Sequence, residues 1–258
     1  MANFNQNVLW SRLTAPELKS LAHADATVLV PVGSTEQHGP HLVTGTDSIL
    51  VAAVCERAAG EMARSGYPCV VAPTVWTGLA DHHVEFGGTF TLGLPTFMAL
   101  LTDICASIRK AGFSKVVLVN GHGGNMPGLS AAAAEIAAKT GMPVYTTTYF
   151  IEAAKEIEAL LEAQENLQHA CEAETSMIWA LRSADVREDR LCDGPGFSLQ
   201  AALQPSLRTF EPFSRLTQNG VSGSATKATP EKGARLLAAC ADVLARRIAE
   251  LLPVSMSV

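Results

Sequence analysis

Thr27 to Val32 is an apolar run (Thr-Val-Leu-Val-Pro-Val) that stops at Gly33. A β-branched run bounded by glycine reads as a strand buried on both faces. Comparable runs lie at Tyr67–Val75, Lys115–Asn120 and Met142–Thr148. Between them the apolar spacing turns helical. Residues 48–64 carry Ile49, Val51, Ala52, Val54, Ala58 and Met62 and stop near Ser65-Gly66, and 96–111 and the alanine-rich 128–139 follow suit. An acidic amphipathic helix is predicted over 150–165, and a further apolar, helical segment follows Glu174. The last helix runs from the capped start Thr229-Pro230-Glu231 to about Leu252, and Thr14-Ala-Pro-Glu predicts an earlier helix with Thr14 as its cap. Strands alternating with helices imply βαβ units and an α/β fold whose mostly parallel sheet is covered on both faces. Residues 192–228, rich in Gly, Pro, Ser and Thr, show no period. No repeat or linker divides the chain, so a single domain over 1–258 is expected, with 192–228 as an excursion from it.

The chain has 258 residues, 48% hydrophobic and 17% charged, which suits one globular domain of this size. A formal net charge of −6 provides no basic field for nucleic acid. No stretch of about 18 apolar residues occurs, so no membrane span is expected. The first residues have neither a basic nor an apolar signal region. The six cysteines are scattered, with no C-x-x-C pair, which fits reduced thiols in a cytoplasmic protein. Cys171, beside a histidine-bearing segment, is the one thiol singled out, although free Cys is usually inert packing.

Chemistry gathers where the first strand ends. Gly33-Ser-Thr-Glu-Gln-His-Gly-Pro-His-Leu42 brings in Glu36, His38 and His41, and Asp47 follows. Ligand sites of α/β proteins lie at the carboxyl ends of strands. Residues two apart in extended chain point the same way, so Glu36 and His38 can face one point. Such an N/O set suits a divalent metal, and the competing reading is an ordinary polar surface loop. The third strand runs into Gly121-His122-Gly123-Gly124-Asn125 at the same edge. Its glycines resemble a phosphate cradle, but the third glycine of G-x-G-x-x-G is missing, and a metal-binding or catalytic His122 is the better reading. His169, Glu172 and Glu174 precede the later helix; Glu174 is a candidate ligand, or else a capping-type carboxylate. Glu36, His38, Asp47, His122 and Glu174 exceed what one catalytic zinc takes. They suit two metals about 3.5–4 Å apart, with a shared carboxylate and a bridging water as nucleophile. No G-x-S-x-G elbow and no P-loop is present.

These pieces together resemble the creatininase (creatinine amidohydrolase) family. The matches are Pro31 through Leu42 with Thr46-Asp47, His83 through Thr89, Asn120-Gly-His-Gly-Gly-Asn125, and His169-Ala-x-x-x-Glu-Thr-Ser176, with a fainter one from Gly223 to Gly233. The resemblance implies a three-layer α/β/α fold and an amidohydrolase with two divalent ions (Zn, Mn or Fe). It implies a small-molecule substrate whose C–N bond is cleaved by metal-bridging hydroxide, and a homo-oligomer, often a hexamer. By position, Glu36, His38, Asp47, His122 and Glu174 match ligands, Asp47 as the bridge. Glu174 also counts as catalytic, beside His169, which would protonate the leaving nitrogen. His83, Thr89, Gly123, Gly124 and Asn125 fall in motif positions expected to bind substrate.

Creatininase proper looks like N-G-H-x-E-N, with a metal-binding Glu where this chain has Gly124, and it carries tryptophans in the region of 150–168 that are absent here. Ala80, Glu85, Gly87 and Cys171 also depart from the pattern. Together these point away from creatinine, towards relatives acting on formamides, peptides or cyclic sugar-derived substrates. Two alternatives remain beside the amidohydrolase: a metal-assisted hydrolase or isomerase of a keto-sugar or lactone, and a catalytically silent metal-binding scaffold.

Overall fold

A computed structural model describes residues 7–197 and 209–252, so part of the expected 192–228 excursion lies outside the described residues. Four strands, β1 (Thr27–Val32), β2 (Cys69–Val71), β3 (Lys115–Asn120) and β4 (Val144–Thr148), form a parallel sheet in the order β2-β1-β3-β4. Every residue of β1 is buried, as its unbroken apolar sequence requires. The second strand is shorter than the expected Tyr67–Val75. Pro73 lacks an N–H for the ladder, and pairing resumes only at an isolated Val32–Val75 bridge.

Alternation along the strands sends side chains into two cores. Leu29, Val71, Val117 and Val119 face one of them, and Val28, Val30, Val70, Val116 and Leu118 the other. The first core is closed by α2 (Thr46–Arg64) together with two later helices, which we number α7 (Glu172–Leu181) and α8 (Pro230–Leu251). The second is closed by α3 (Leu94–Lys110) and α4 (Met126–Thr140), with α1 (Ala15–His23) beside them. The result is the expected α/β/α sandwich. At the start of α1, Thr14 and Glu17 form a reciprocal capping box.

The expected helix over 150–165 is instead two short pieces, α5 (Tyr149–Glu152) and α6 (Ala154–Glu158). Beyond them the N–H groups of Glu162 and Ala163 donate to the buried Glu172 carboxylate, at 3.0 and 3.2 Å, rather than to a helical ladder. Among the described residues no helix is long and apolar enough to cross a membrane.

Chain order runs outward from β1 to β2, then crosses back past β1 to β3. The reversal falls between β1 and β3, where a crevice opens at the strands' carboxyl ends. Gly33 lets α2 begin hard against that edge, since a Cβ there would lie 2.6 Å from Ser48 Oγ. This close approach delivers Asp47, in the first turn of α2, to the crevice.

Candidate metal centre

Glu36 and His38 leave β1, Asp47 enters on α2, His122 follows β3, and Glu174 sits in the first turn of α7. All five are buried and converge. Asp47 lies between two imidazoles: Oδ1 is 3.1 Å from His38 Nε2, and Oδ2 is 3.2 Å from His122 Nδ1. Glu36 Oε2 lies 3.0 Å from His122 Nδ1, and Glu174 Oε2 lies 3.8 Å from His38 Nε2.

Each inward-facing nitrogen is prepared by its opposite one. His38 Nδ1 is 3.1 Å from the Glu36 carbonyl and His122 Nε2 is 3.1 Å from the Leu79 carbonyl. In the neutral ring the nitrogen beside a carbonyl carries the proton, so neutral His38 and His122 present the lone pairs of Nε2 and Nδ1 to the crevice. Both oxygens of Glu36 and Oδ2 of Asp47 are buried without an aligned donor. Buried carboxylate oxygens without donors are costly unless a cation meets them. Donor set and orphaned oxygens both fit divalent ions. Glu36, Asp47 and His122 each offer an atom within 4.8 Å of the others, as do His38, His169 and Glu174, and Glu36, His83 and His169.

Electrostatics couple the cluster. Burial opposes charge on His38, but Asp47, Glu174 and Glu36 overcome it and lift its pKa to about 9. Burial opposes ionisation of Asp47 too, yet His38 and His122 hold its carboxyl well below the usual range. Burial, with the neighbouring Asp47 and Glu36, pushes Glu174 up to about 8 despite His38. His169 is kept neutral by burial and by His38 and His83. Its Nε2 donates to the Gln37 carbonyl at 2.8 Å, and its Nδ1 looks inward, 3.6 Å from Glu36 Oε1.

The crevice opens into a cavity of about 450 Å³. Glu36, Asp47, His122, His169 and Glu174 form its polar floor, with His83, Gly123 and Gly124 beside them; Phe150, Leu167, Phe197, Phe213 and Leu216 make an apolar wall. Two residues expected at the substrate are placed elsewhere. Thr89 accepts the Gln37 N–H at 3.2 Å, and Asn125 accepts from Leu79 N and donates to Gly33 O, at 2.8 and 3.0 Å. Neither lines the cavity; both fasten its loops. Cys171 is buried, accepts from Gln168 N, and has its thiol pushed up to about 12 by burial and Glu174, so it is packing.

His82 and Gln37 were passed over by the sequence reading, and His41 was named there without a role. His82 lines the cavity, its ring nearly parallel to that of His122 with centroids 5.6 Å apart. Gln37 sits amid the histidines. His41 Nε2 lies 3.1 Å from Ala170 O and 3.0 Å from Thr175 Oγ1, behind the site. The dense run from Glu36 to His41 was the available signal for Gln37. Gly124 meets its expected departure in space: a Cβ there would lie 2.4 Å from both His122 Nε2 and Leu79 O, so no side chain fits.

Fold and site together define an α/β/α protein with a carboxylate–imidazole centre, suited to divalent ions, at the sheet's carboxyl edge. The family model described as creatinine amidohydrolase matches residues 11–248, and the chain belongs to the creatininase family. A mycofactocin precursor peptide peptidase of Mycolicibacterium smegmatis is 34% identical over 224 residues, covering 85% of this chain and 84% of that one. The creatinine amidohydrolase of Pseudomonas putida is 28% identical over 271 residues, covering 96% and 99%. The solved structure described as "Creatininase Mn" superposes with a TM-score of 0.79 at 27% identity, covering 96% of this chain and 99% of that one.

Proposed function

We propose that this chain is a binuclear metal-dependent amidohydrolase that cleaves the C–N bond of a small amide or formamide. One ion would be held by Glu36, Asp47 and His122, and the second by His38, Asp47 and Glu174, with Asp47 shared. The observation that carries this reading is the posture of Asp47, one oxygen towards each of two outward-braced imidazoles. Divalent ions supply Lewis acidity there, polarising a carbonyl and making water nucleophilic near neutral pH.

The chain's own residues do the rest. Asp47 stays ionised between His38 and His122. His169, neutral and tethered through Nε2 to the Gln37 carbonyl, takes a proton from the attacking water at Nδ1 and returns it to the leaving nitrogen. The apolar wall holds the substrate's non-reacting part and excludes water. Gly123, where a Cβ would meet nothing within 4 Å, leaves the floor beside His122 open to the scissile group.

The substrate is a different one from creatinine in this reading, because position 124 has no room for the Glu that creatininase proper resembles there. A short peptide is the second reading, favoured by the apolar wall and by the relatedness to a peptidase that acts on a precursor peptide.

Elemental analysis of gently purified protein, beside Asp47→Ala, tests the core of the proposal. About two divalent ions per chain are expected, with nearly none in the variant and hydrolysis of a panel of lactams, formamides and short peptides abolished. Equal ion loss in Asp47→Ala and Glu174→Ala would remove the shared role from Asp47. A wild-type protein that takes up no Zn or Mn would favour a silent scaffold.

A further inference from the structure

We infer that His83 is a positioning residue that donates to the outer oxygen of Glu36, and that Gln37 sets the ring tautomer that makes it a donor. The inference rests on the metal reading above and concerns how Glu36 is presented. His83 is 2% exposed, with its ring packed 4.4 Å from that of His169 and 4.6 Å from that of Phe213. It lines the cavity, and the family pattern suggested a role at the substrate. Its two nitrogens are nevertheless both engaged within the protein.

Nδ1 lies 2.9 Å from Gln37 Nε2. The Gln37 amide is oriented by its other end, because Oε1 accepts the Gly39 N–H at 2.9 Å, which leaves the NH2 group between His83 Nδ1 and His169 Nε2, 2.9 Å from each. An imidazole nitrogen that accepts has no proton, so the proton of neutral His83 sits on Nε2. Nε2 is 3.3 Å from Glu36 Oε1, closer than the next ring nitrogen, His169 Nδ1, at 3.6 Å. Oε1 has no aligned donor, His83 Nε2 is the ring nitrogen nearest to it, and Oε2 faces His122 and the Asp47 side of the site.

The order is therefore Gly39 N–H to Gln37, Gln37 N–H to His83, and the His83 Nε2–H towards Glu36 Oε1. Each step fixes the next. With an ion at Oε2, the His83 N–H would hold Oε1 in place, which is how outer partners orient ligating groups. The same tautomer decides against a different use of the cluster. Glu36, His83 and His169 are close enough to hold a cation. A protonated Nε2 offers no lone pair to one, so His83 is a donor and not a further ligand.

Zinc affinity by chelator competition tests this without any substrate, together with the 15N shifts of the His83 ring in zinc-loaded protein. His83→Ala and Gln37→Met should each weaken one of two zinc ions by about 10- to 100-fold and leave the second bound. His83→Gln, which restores an N–H donor, should recover most of the loss. In the wild type His83 Nε2 should carry the proton, and in Gln37→Met the two ring nitrogens should share it. Two zinc ions bound with unchanged affinity in both variants would overturn the relay alone. So would a wild-type His83 protonated on Nδ1, a result that needs no variant to fold. A wild type that binds no zinc would overturn the metal reading and the relay with it.

Discussion

Glu172 and Glu174 stand two residues apart in the first turn of α7, and both are buried. Their surroundings differ completely. Glu172 is saturated: Lys232 Nζ reaches Oε1, Glu162 N donates to the same oxygen, and Ala163 N donates to Oε2. Glu174 has one backbone donor, Ala170 N at 2.6 Å, and otherwise lines the cavity with its carboxyl pushed up to about 8 by burial and its acidic neighbours. A satisfied buried carboxylate joins segments; an under-satisfied one with a displaced pKa is poised for a ligand. Helical geometry turns the two side chains about 200° apart, so one turn serves scaffold on one side and site on the other.

The largest effect expected from this contrast is on the scaffold side. Lys232→Met leaves Glu172 charged and buried without its cation, a change that costs about 3–5 kcal/mol. Urea unfolding of the metal-free protein should show it, while zinc uptake by whatever remains folded stays at the wild-type count. An unchanged midpoint would mean that Glu172 is no tighter a fastening than Glu174.

A smaller effect belongs to the support between them. His41 faces Ala170, whose left-handed backbone (φ 52°) turns the chain into α7. Burial, and then His38, pulls the His41 pKa down to about 4. Its folded value lies below the unfolded one near 6.5, so between the two the unfolded chain binds the extra proton. Stability from this group is complete above pH 6.5 and is lost as pH falls through about 4. In metal-free protein the unfolding free energy should therefore fall from pH 7 to pH 5 by roughly 1–2 kcal/mol through this residue. His41→Gln should flatten that part of the curve. An unaltered slope would place the proton uptake elsewhere.

Only half of the contrast was visible in sequence. The β-branched runs located all four strands, the second of them overlong, and E-Q-H with G-H-G-G marked the strand ends that carry the site, because period and glycine are local signals. Glu174 was chosen over Glu172 by its place before an apolar run and by a motif, while the structural role of Glu172 stayed hidden, since its lysine lies 60 residues on and reaches back only after α8 packs on α7. The same carboxylate undid the predicted 150–165 helix by capturing two of its N–H groups. Thr89 and Asn125 stood in motifs yet serve the loops, because motif membership does not distinguish a residue that meets a ligand from one that holds its neighbour. His82 was hidden by adjacency to the patterned His83, and only the folded loop shows that both rings reach the site.

The sharpest small effect is expected at Glu174→Gln. With its carboxyl pushed up to about 8, Glu174 in metal-free protein at pH 7 is largely the neutral acid. Gln replaces one neutral group by another of the same shape, and its amide oxygen can still accept from Ala170 N. The unfolding free energy at pH 7 should then change by less than about 1 kcal/mol, well short of the loss in Lys232→Met. Ion uptake should respond differently, because an amide is a far poorer ligand than a carboxylate for a hard divalent ion. Of two zinc ions, the one shared by His38 and Glu174 should weaken, and the one at Glu36 and His122 should remain. A stability loss as large as that of Lys232→Met would make Glu174 a second structural fastening and erase the distinction between the two glutamates. Loss of both ions would move the shared position from Asp47 to α7.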